Sequence, residues 1–457
     1  MIEEDGKGKS YMSINFSAEE IAAEERRPKR KVAVLVGYAG TGYSGLQMNH
    51  TEKTIEGDLF AAFVAAGAIS KANADDPKKS SLVRCARTDK GVHAAGNVLS
   101  LKLIIEDEGI TERINQNLPP QIRVWDIQRT NNGFSSYQAC DSRWYEYLMP
   151  SYALLPPHPG SFLGEKLASS AKEKGVYDEY MERLDDVKGF WEEVESTEIQ
   201  PLLEKLSPEI RALVLEGTHG VQDVQSDEAD VPLVPESGAS DQPIPAPNES
   251  TPGDKNAESN GQDGTSEAHI LTPSEIALRE IRKAYVAAKR RYRVTPTRLN
   301  KLQACLNLYL GTKNFHNYTI QKSVSDPSAK RHIKSMLVNP TPIRIRDTEW
   351  LSIKVHGQSF MMHQIRKMIA MAIMVTRCGS PMDIITESYG PRRISIPKAP
   401  GLGLLLERPV FNEYNKRAAG ELQREAIDFS KYETKIQEFK DREIYRRMFE
   451  VEESSNA

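Results

Sequence analysis

Long apolar runs and paired cysteines are both missing from this chain of 457 residues. No window approaches the roughly 18 uninterrupted apolar residues of a membrane span, so we expect no membrane partner. The acidic first residues have no apolar stretch behind them, which is not the pattern of a signal peptide or mitochondrial presequence, and we expect a mature protein that starts near residue 1. The four cysteines contain no C-x-x-C pair. Their spacing indicates neither disulfides nor structural zinc, although a metal site built from distant residues stays open.

A net charge of −4 hides two unlike parts of the chain. Between Asp223 and Glu267 there are eleven acidic residues, one lysine and no aromatic residue. So few apolar side chains cannot offset the entropy of ordering, which predicts a disordered acidic insertion at 217–268. The rest of the chain then carries about +6, in the direction expected for a nucleic-acid binder.

Hydrophobic periodicity predicts α+β or α/β layers, with one mixed half on each side of that insertion. Predicted strands lie at 31–38, 98–105, 122–128 and 349–355, and predicted helices at 54–69, 110–118, 296–310, 358–377 and 428–450. We divide the chain into a disordered leader with a basic cluster (1–30), an N-terminal catalytic half (31–160), a peripheral helical insertion (161–216), the acidic insertion (217–268), a C-terminal half of the catalytic domain with a basic helix (269–412) and a C-terminal helical extension (413–457).

The segment Gly40-Thr41-Gly42-Tyr43-Ser44-Gly45 follows a predicted strand and matches the G-x-G-x-x-G dinucleotide motif. No helix opens on its last glycine, and the region about twenty residues on is helical and lacks the required acid. The context therefore argues against a nicotinamide or flavin site. Two roles for the glycines stay open, a turn that lets backbone approach a phosphate and a purely conformational turn.

Asp89 is the first candidate for chemistry, because it lies between Arg87 and Lys90 in a loop just before a predicted strand. Loops held by a rigid element commonly carry catalytic groups. A carboxylate set among cations suits chemistry on an anionic polymer. The alternative is a solvated turn in which these charges only screen one another.

Arg143, Tyr145 and Tyr147 fall on one face of a predicted strand, because side chains alternate along a strand. A basic face with two rings suits base stacking and phosphate contact. Aromatic strand faces are also common in protein cores, so a core role is the alternative.

Arg366 falls on the apolar stripe of the predicted helix at 358–377. A guanidinium that points inward needs a carboxylate, and Asp89 is the natural candidate. The alternatives are a structural acid or a guanidinium that reaches solvent.

Basic residues cluster in three further places. One cluster lies at 279–298 and includes Arg290, Arg291 and Arg293, and a second lies at 330–334. Both suit a surface that follows phosphates, with a solvated face as the alternative. The cluster at 26–31 resembles a nuclear import signal and predicts a nuclear protein; an RNA contact or a solvated arm would explain it equally well.

Five blocks, in order along the chain, resemble the TruA family of tRNA pseudouridine synthases, and most closely its eukaryotic nuclear, multisite branch. They lie at 38–47, 86–94, 143–147, 360–368 and 399–404. The segment Phe315-His316-Asn317-Tyr318 adds to the likeness. The resemblance covers the chain from about Lys31 to Asn412.

The resemblance implies two ferredoxin-like halves that form one extended mixed sheet with a central catalytic cleft and peripheral helices. It implies that Asp89 is the essential carboxylate, Arg366 its ionic partner and Tyr145 the ring that packs on the target base. Arg87 would contact the extruded nucleotide. The further expected RNA contacts are Lys90, His93, Arg143, Arg290, Arg291 and Arg293.

The implied reaction is an isomerisation in which the uracil N-glycosidic bond breaks and C5 rejoins the same ribose carbon, so no cofactor is required. The implied partner is tRNA, with anticodon stem-loop uridines and intron-containing precursors as expected targets and small nuclear and messenger RNAs as further candidates. The C-terminal helix could cover a dimer face, which favours a monomer. Two alternatives stay open, a non-catalytic RNA-binding or chaperone protein and a nucleoside hydrolase, although no second catalytic acid is evident for the latter.

Overall fold

The computed structural model describes residues 16–49, 51–223 and 272–455. The predicted acidic insertion lies outside these residues from position 224 onward, and so do the first 15 residues of the predicted leader. Within the described ranges, no helix combines the length and apolarity needed to cross a membrane.

Ten strands form one mixed sheet. They are β1 (Arg30–Tyr38), β2 (Val83–Arg84), β3 (His93–Leu103), β4 (Ile122–Arg129), β5 (Ser142–Pro150), β6 (Gly311–Asn314), β7 (Lys330–Val338), β8 (Ile343–Ile345), β9 (Thr348–Gly357) and β10 (Leu404–Val410). Their order is β4-β1-β3-β10-β5-β9-β7-β6, while β2 and β8 pair with β3 and β9. The pair β3–β10 is parallel and the other pairs are antiparallel. The expected α+β class with one extended mixed sheet is confirmed.

Helices cover both faces of this sheet. They are α1 (Ala18–Ala22), α2 (Ile55–Ala65), α3 (Ile110–Gln116), α4 (Phe162–Glu173), α5 (Tyr177–Glu182), α6 (Phe190–Val194), α7 (Gln200–Glu204), α8 (Pro208–Asp223), α9 (Pro273–Arg291), α10 (Pro296–Asn307), α11 (Gln364–Arg377), α12 (Asp383–Glu387), α13 (Asn412–Ala418), α14 (Glu433–Phe439) and α15 (Arg446–Ser455). Buried side chains of α2, α3, α10 and α11 form one core with the sheet, whereas α13, α14 and α15 form a second core on its other face.

β1 consists largely of consecutive apolar residues because a core lies on each of its two faces. Val32, Val34 and Val36 lie in the first core. Ala33 and Leu35 lie in the second. A strand covered on both faces has no solvent-facing positions that would be polar.

Two predicted helices differ from the observed ones. The helix predicted from residue 358 begins only at Gln364, because His363 adopts a left-handed backbone with φ 62°. The helix predicted at 428–450 is interrupted by a wide π turn at Lys440–Tyr445. In this turn Lys440 and Tyr445 reach the sheet, where the Tyr445 hydroxyl donates to the buried Glu146 carboxylate over 2.6 Å.

The helical insertion predicted as peripheral also contributes to the core. Its Asp186 accepts hydrogen bonds from Nε and Nη2 of Arg298 at 3.0 and 2.7 Å. Arg298 is fully buried and donates its remaining Nη1 to the carbonyls of Leu154 and Thr376. Asp186 is thus the counter-ion of a buried guanidinium that joins the insertion to α10 and α11.

Candidate active site

The loop that carries Asp89 rests against the glycine-rich loop. Leu46 N donates to the Thr88 carbonyl over 3.1 Å. A Cβ atom at Gly45, where φ is +91°, would lie 2.8 Å from that same carbonyl oxygen. One at Gly40 would lie 2.2 Å from the Val92 carbonyl oxygen. These glycines allow two loops to make backbone contact, which supports the conformational role over the phosphate-binding one.

Buried polar groups fix the base of the Asp89 loop. The Tyr38 hydroxyl and Thr88 Oγ1 lie 2.9 Å apart in a hydrogen bond. Asn97 Nδ2 donates to the Ala86 carbonyl over 2.9 Å and to the Tyr38 hydroxyl over 3.2 Å. Tyr38 belongs to β1 and Asn97 to β3, so two neighbouring strands of the sheet hold the Asp89 loop in place.

His363, just before α11, and Arg366, in its first turn, both approach the same oxygen atom of the Asp89 carboxylate. Arg366 Nη1 lies 3.9 Å from Asp89 Oδ2, and its Nε donates to the Ala399 carbonyl over 2.6 Å. His363 Nδ1 lies 3.0 Å from the same Oδ2. The Asp89 side chain is 33% exposed. The structure therefore brings Asp89 and Arg366 together and adds His363.

Opposing influences act on the pKa of Asp89. Burial by itself raises it, but the hydrogen bond with His363 and the charges of His363, Arg366 and Lys398 outweigh burial, so the pKa lies below its ordinary value. A carboxyl group with a lowered pKa is ionised at neutral pH. Asp89 is therefore an anion that solvent can reach.

His363 is the site residue that sequence reasoning missed. It directly precedes α11 and lies three residues before Arg366 in the sequence. The apolar periodicity runs on through 358–363 and made this segment look like helix interior. The sequence feature that could have indicated His363 was a histidine three residues before an arginine that was predicted to point inward.

Tyr145 lies in the wall of the same region. It is 7% exposed and meets Phe360 edge-on, with ring centroids 5.3 Å apart. In the sheet Tyr145 is opposite Leu406, which is opposite Ala94 near the start of β3. Two strand spacings, about 10 Å, therefore separate Tyr145 from the strand that follows Asp89.

Comparisons with known proteins place the chain among its relatives. A family model described as tRNA pseudouridine synthase matches residues 306–412. The tRNA pseudouridine synthase 1 of Candida glabrata is 44% identical over 95% of this chain and 70% of its own length. That of Schizosaccharomyces pombe is 43% identical over 94% and 82%, and the tRNA pseudouridine(27/28) synthase of Saccharomyces cerevisiae is 36% identical over 84% and 85%.

The chain belongs to the tRNA pseudouridine synthase family. The resemblance drawn from the sequence blocks is confirmed, and with it the enzyme class, an isomerase. The matched family region contains α11, and therefore Arg366, but not the Asp89 loop.

The other residues expected at the site of this synthase divide into exposed and buried ones. Arg87 and Lys90 are exposed on either side of Asp89. His93 is fully buried, where its Nδ1 accepts from Gly40 N over 3.1 Å and burial lowers its pKa to about 4. Arg143 is buried and donates to the Cys85 carbonyl over 2.8 Å. The positions of His93 and Arg143 favour structural roles and argue against direct RNA contact.

The three arginines at and just beyond the end of α9 have partners within the protein. Arg290 Nη2 lies 3.6 Å from Oε1 of Glu452 in α15, and Arg291 pairs with Glu198. Arg293 Nη2 donates to the Asp347 carbonyl over 3.0 Å. The Arg291 side chain is still 53% exposed, so RNA contact by these arginines stays a prediction.

Two residues of the basic cluster at 26–31 form ion pairs within the protein. Arg27 pairs with Asp107, and Arg30 Nε lies 2.8 Å from Glu106 Oε1. Among the residues whose positions the structure describes, no three His, Cys, Asp or Glu side chains are grouped so that they could hold a metal ion.

Proposed function

We propose that the chain converts uridines of tRNA to pseudouridine with Asp89 as the catalytic carboxylate. The observation that supports this proposal most directly is an ionised, partly exposed carboxylate that lies 3.9 Å from the guanidinium of Arg366. The names of the relatives and the matched family support the reaction and the tRNA substrate.

In this reaction the C1′–N1 bond breaks, the base turns while it is held, and C1′ bonds to C5. The proton lost from C5 is balanced by one gained at N1, so no atom enters or leaves overall. Asp89 either attacks the ribose or removes a ribose proton, and both roles need its anion. Arg366 stabilises that anion in a partly desolvated site.

We assign His363 to the same site as a residue that positions the Asp89 carboxylate. His363 Nδ1 and Arg366 Nη1 both approach Oδ2, whereas Oδ1 has no hydrogen-bond partner among the described residues. Oδ1 is therefore the oxygen free to meet the ribose. His363 and Arg366 would hold the carboxylate so that this oxygen points out of the protein.

The target uridine must leave the RNA stack, at a cost of a few kcal/mol. We propose that Tyr145 packs on the flipped base and that Arg87 and Lys90, exposed beside Asp89, contact the surrounding phosphates. The expected targets are anticodon stem-loop uridines and intron-containing precursors, with small nuclear and messenger RNAs as further substrates. A nuclear location is proposed from the cluster at 26–31; a fluorescent fusion with and without that cluster tests it.

Site-resolved pseudouridine mapping on transcripts treated with the wild-type chain or with Asp89→Asn tests the function. We expect modification by the wild type, none by the variant, and equal RNA binding by both. Asp89→Asn turnover above a tenth of wild type would refute the assignment of the carboxylate. RNA binding without any modification would favour the non-catalytic alternative, and release of free uracil would favour the hydrolase.

A further inference from the structure

A row of cations and stacked rings crosses four neighbouring strands on the sheet face opposite Tyr145. We call it the back-face row; its members are Arg408 of β10, Trp144 of β5, His356 of β9 and Lys334 of β7. Arg408 is opposite Trp144, and Trp144 is opposite His356. His356 is opposite Ser335, which adjoins Lys334 where the β7 register shifts. Because side chains alternate along β5, Trp144 and Tyr145 project from opposite faces.

The rings of this row remain partly uncovered. Trp144 and His356 stack with centroids 4.1 Å apart and planes 13° from parallel. His356 Nε2 lies 2.9 Å from Ser142 Oγ, and burial together with the charge of Lys334 lowers the pKa of His356, which leaves the ring neutral at pH 7. The C-terminal extension covers Glu146, the next residue on this face of β5, but it leaves Trp144 partly exposed.

Two lysines that form no ion pair within the described ranges lie beside these rings. Lys330, His332 and Lys334 alternate along the exposed face of β7. Neither lysine makes an ion pair with any residue in the described ranges. Arg408 Nη1 lies 3.4 Å from Glu433 Oε2, but both side chains are largely exposed. These lysines differ from the arginines of α9, because their charge is free to meet an anion.

We propose that the back-face row, together with Lys330 at the start of β7, is a second RNA contact, which stacks an unpaired base on the Trp144–His356 pair and holds phosphates on Lys330 and Lys334. The inference rests on the proposed function, since the occupant is the substrate RNA. Rings that offer a stacking face beside free cations are the combination by which proteins bind single-stranded RNA. β9 leads from His356 directly into the loop before His363, so RNA in the cleft can reach this face around the strand ends.

The test measures tRNA binding to the full chain at several salt concentrations. The double variant Lys330→Glu/Lys334→Glu should weaken binding and reduce the slope of log Kd against log salt by about 2, because two phosphate contacts are lost. Lys166→Glu/Lys174→Glu reverses the same charge on α4 and at the residue that caps its C-terminal end, and should leave the slope unchanged. Trp144→Ala should weaken binding roughly tenfold or more, and Trp144→Phe, which keeps a ring, should bind nearly as wild type.

The rate at saturating RNA should stay at the wild-type value in the lysine variant, because the Asp89 site is untouched. A Kd within twofold of wild type and an unchanged salt slope in that variant would overturn the proposal. The lysine variant decides the question even if Trp144→Ala does not fold. Failure of the wild type to form pseudouridine would instead contradict the proposed function, so the two failures are distinguishable.

Discussion

Replacement of His363 tests whether two side chains or one position the Asp89 carboxylate. A hydrogen bond to an ionised group contributes about 1.5–3 kcal/mol. If the bond over 3.0 Å to Asp89 Oδ2 orients the reacting carboxylate, its loss in His363→Ala should lower the rate about 10- to 150-fold. RNA affinity should change little, because His363 contacts the carboxylate through Oδ2 and the phosphates meet other groups.

Two conservative variants separate positioning from packing. The amide nitrogen of Asn takes nearly the place of Nδ1, whereas that of Gln lies nearer the place of Nε2. His363→Asn should therefore recover most of the lost rate, and His363→Gln should not.

The assay is single-turnover isomerisation at saturating RNA, followed by release of tritium from C5-labelled uridine. Thermal unfolding and RNA titration serve as controls on each variant. An alanine variant within twofold of the wild-type rate would refute the reasoning, and so would an asparagine variant no faster than the glutamine variant.

Three further predictions concern stability, loop contact and pH. Asp186→Ala should reduce the free energy of unfolding by about 3–5 kcal/mol in chemical denaturation, because Arg298 stays buried without its counter-ion. Gly45→Ala should cost about 2 kcal/mol or more and slow isomerisation, since it combines a φ of +91° with a carbonyl contact at 2.8 Å. In Arg366→Met the pKa of Asp89 should rise, so that kcat/KM falls at a higher pH than in wild type as the solution is acidified.

Neighbouring residues supply the controls. Asp185 is exposed beside Asp186, and Asp185→Ala should change stability by no more than about 0.5 kcal/mol. Gly42 shares a positive φ of 82°, but a Cβ atom there would face open space with nothing within 4 Å, so Gly42→Ala isolates the backbone cost. An equal loss of stability in Gly45→Ala and Gly42→Ala would contradict the prediction of loop contact. An equal loss of stability in Asp186→Ala and Asp185→Ala would contradict the prediction for the buried ion pair. In Arg366→Met, a fall of kcat/KM at the same acidic pH as in wild type would contradict the prediction of a raised pKa.

Local patterns predicted that Asp89 and Arg366 lie together, because both expectations depend on short-range rules. The apolar stripe of α11 placed Arg366 toward the interior, and an interior guanidinium requires an acid. The order of charges around Asp89 marked its loop. His363 was missed because helical periodicity extends over residues that the backbone at φ 62° removes from the helix.

Contacts between distant segments could not be predicted in the same way. The density of arginines at the end of α9 did not reveal that Glu452 and Glu198, far away in sequence, pair with two of them. Nor did the charges of the helical insertion reveal Asp186 as the partner of Arg298. Periodicity describes one segment at a time, whereas these pairs depend on how segments pack.

The position of β10 has a consequence for synthesis of the protein. This late strand separates β3, which follows Asp89, from β5, which carries Tyr145, and it pairs with both. A nascent chain on the ribosome therefore lacks the strand that lies between β3 and β5 until residues 404–410 have emerged. Catalytic competence should arise late in translation, after the N-terminal strands have already had time to pair with one another.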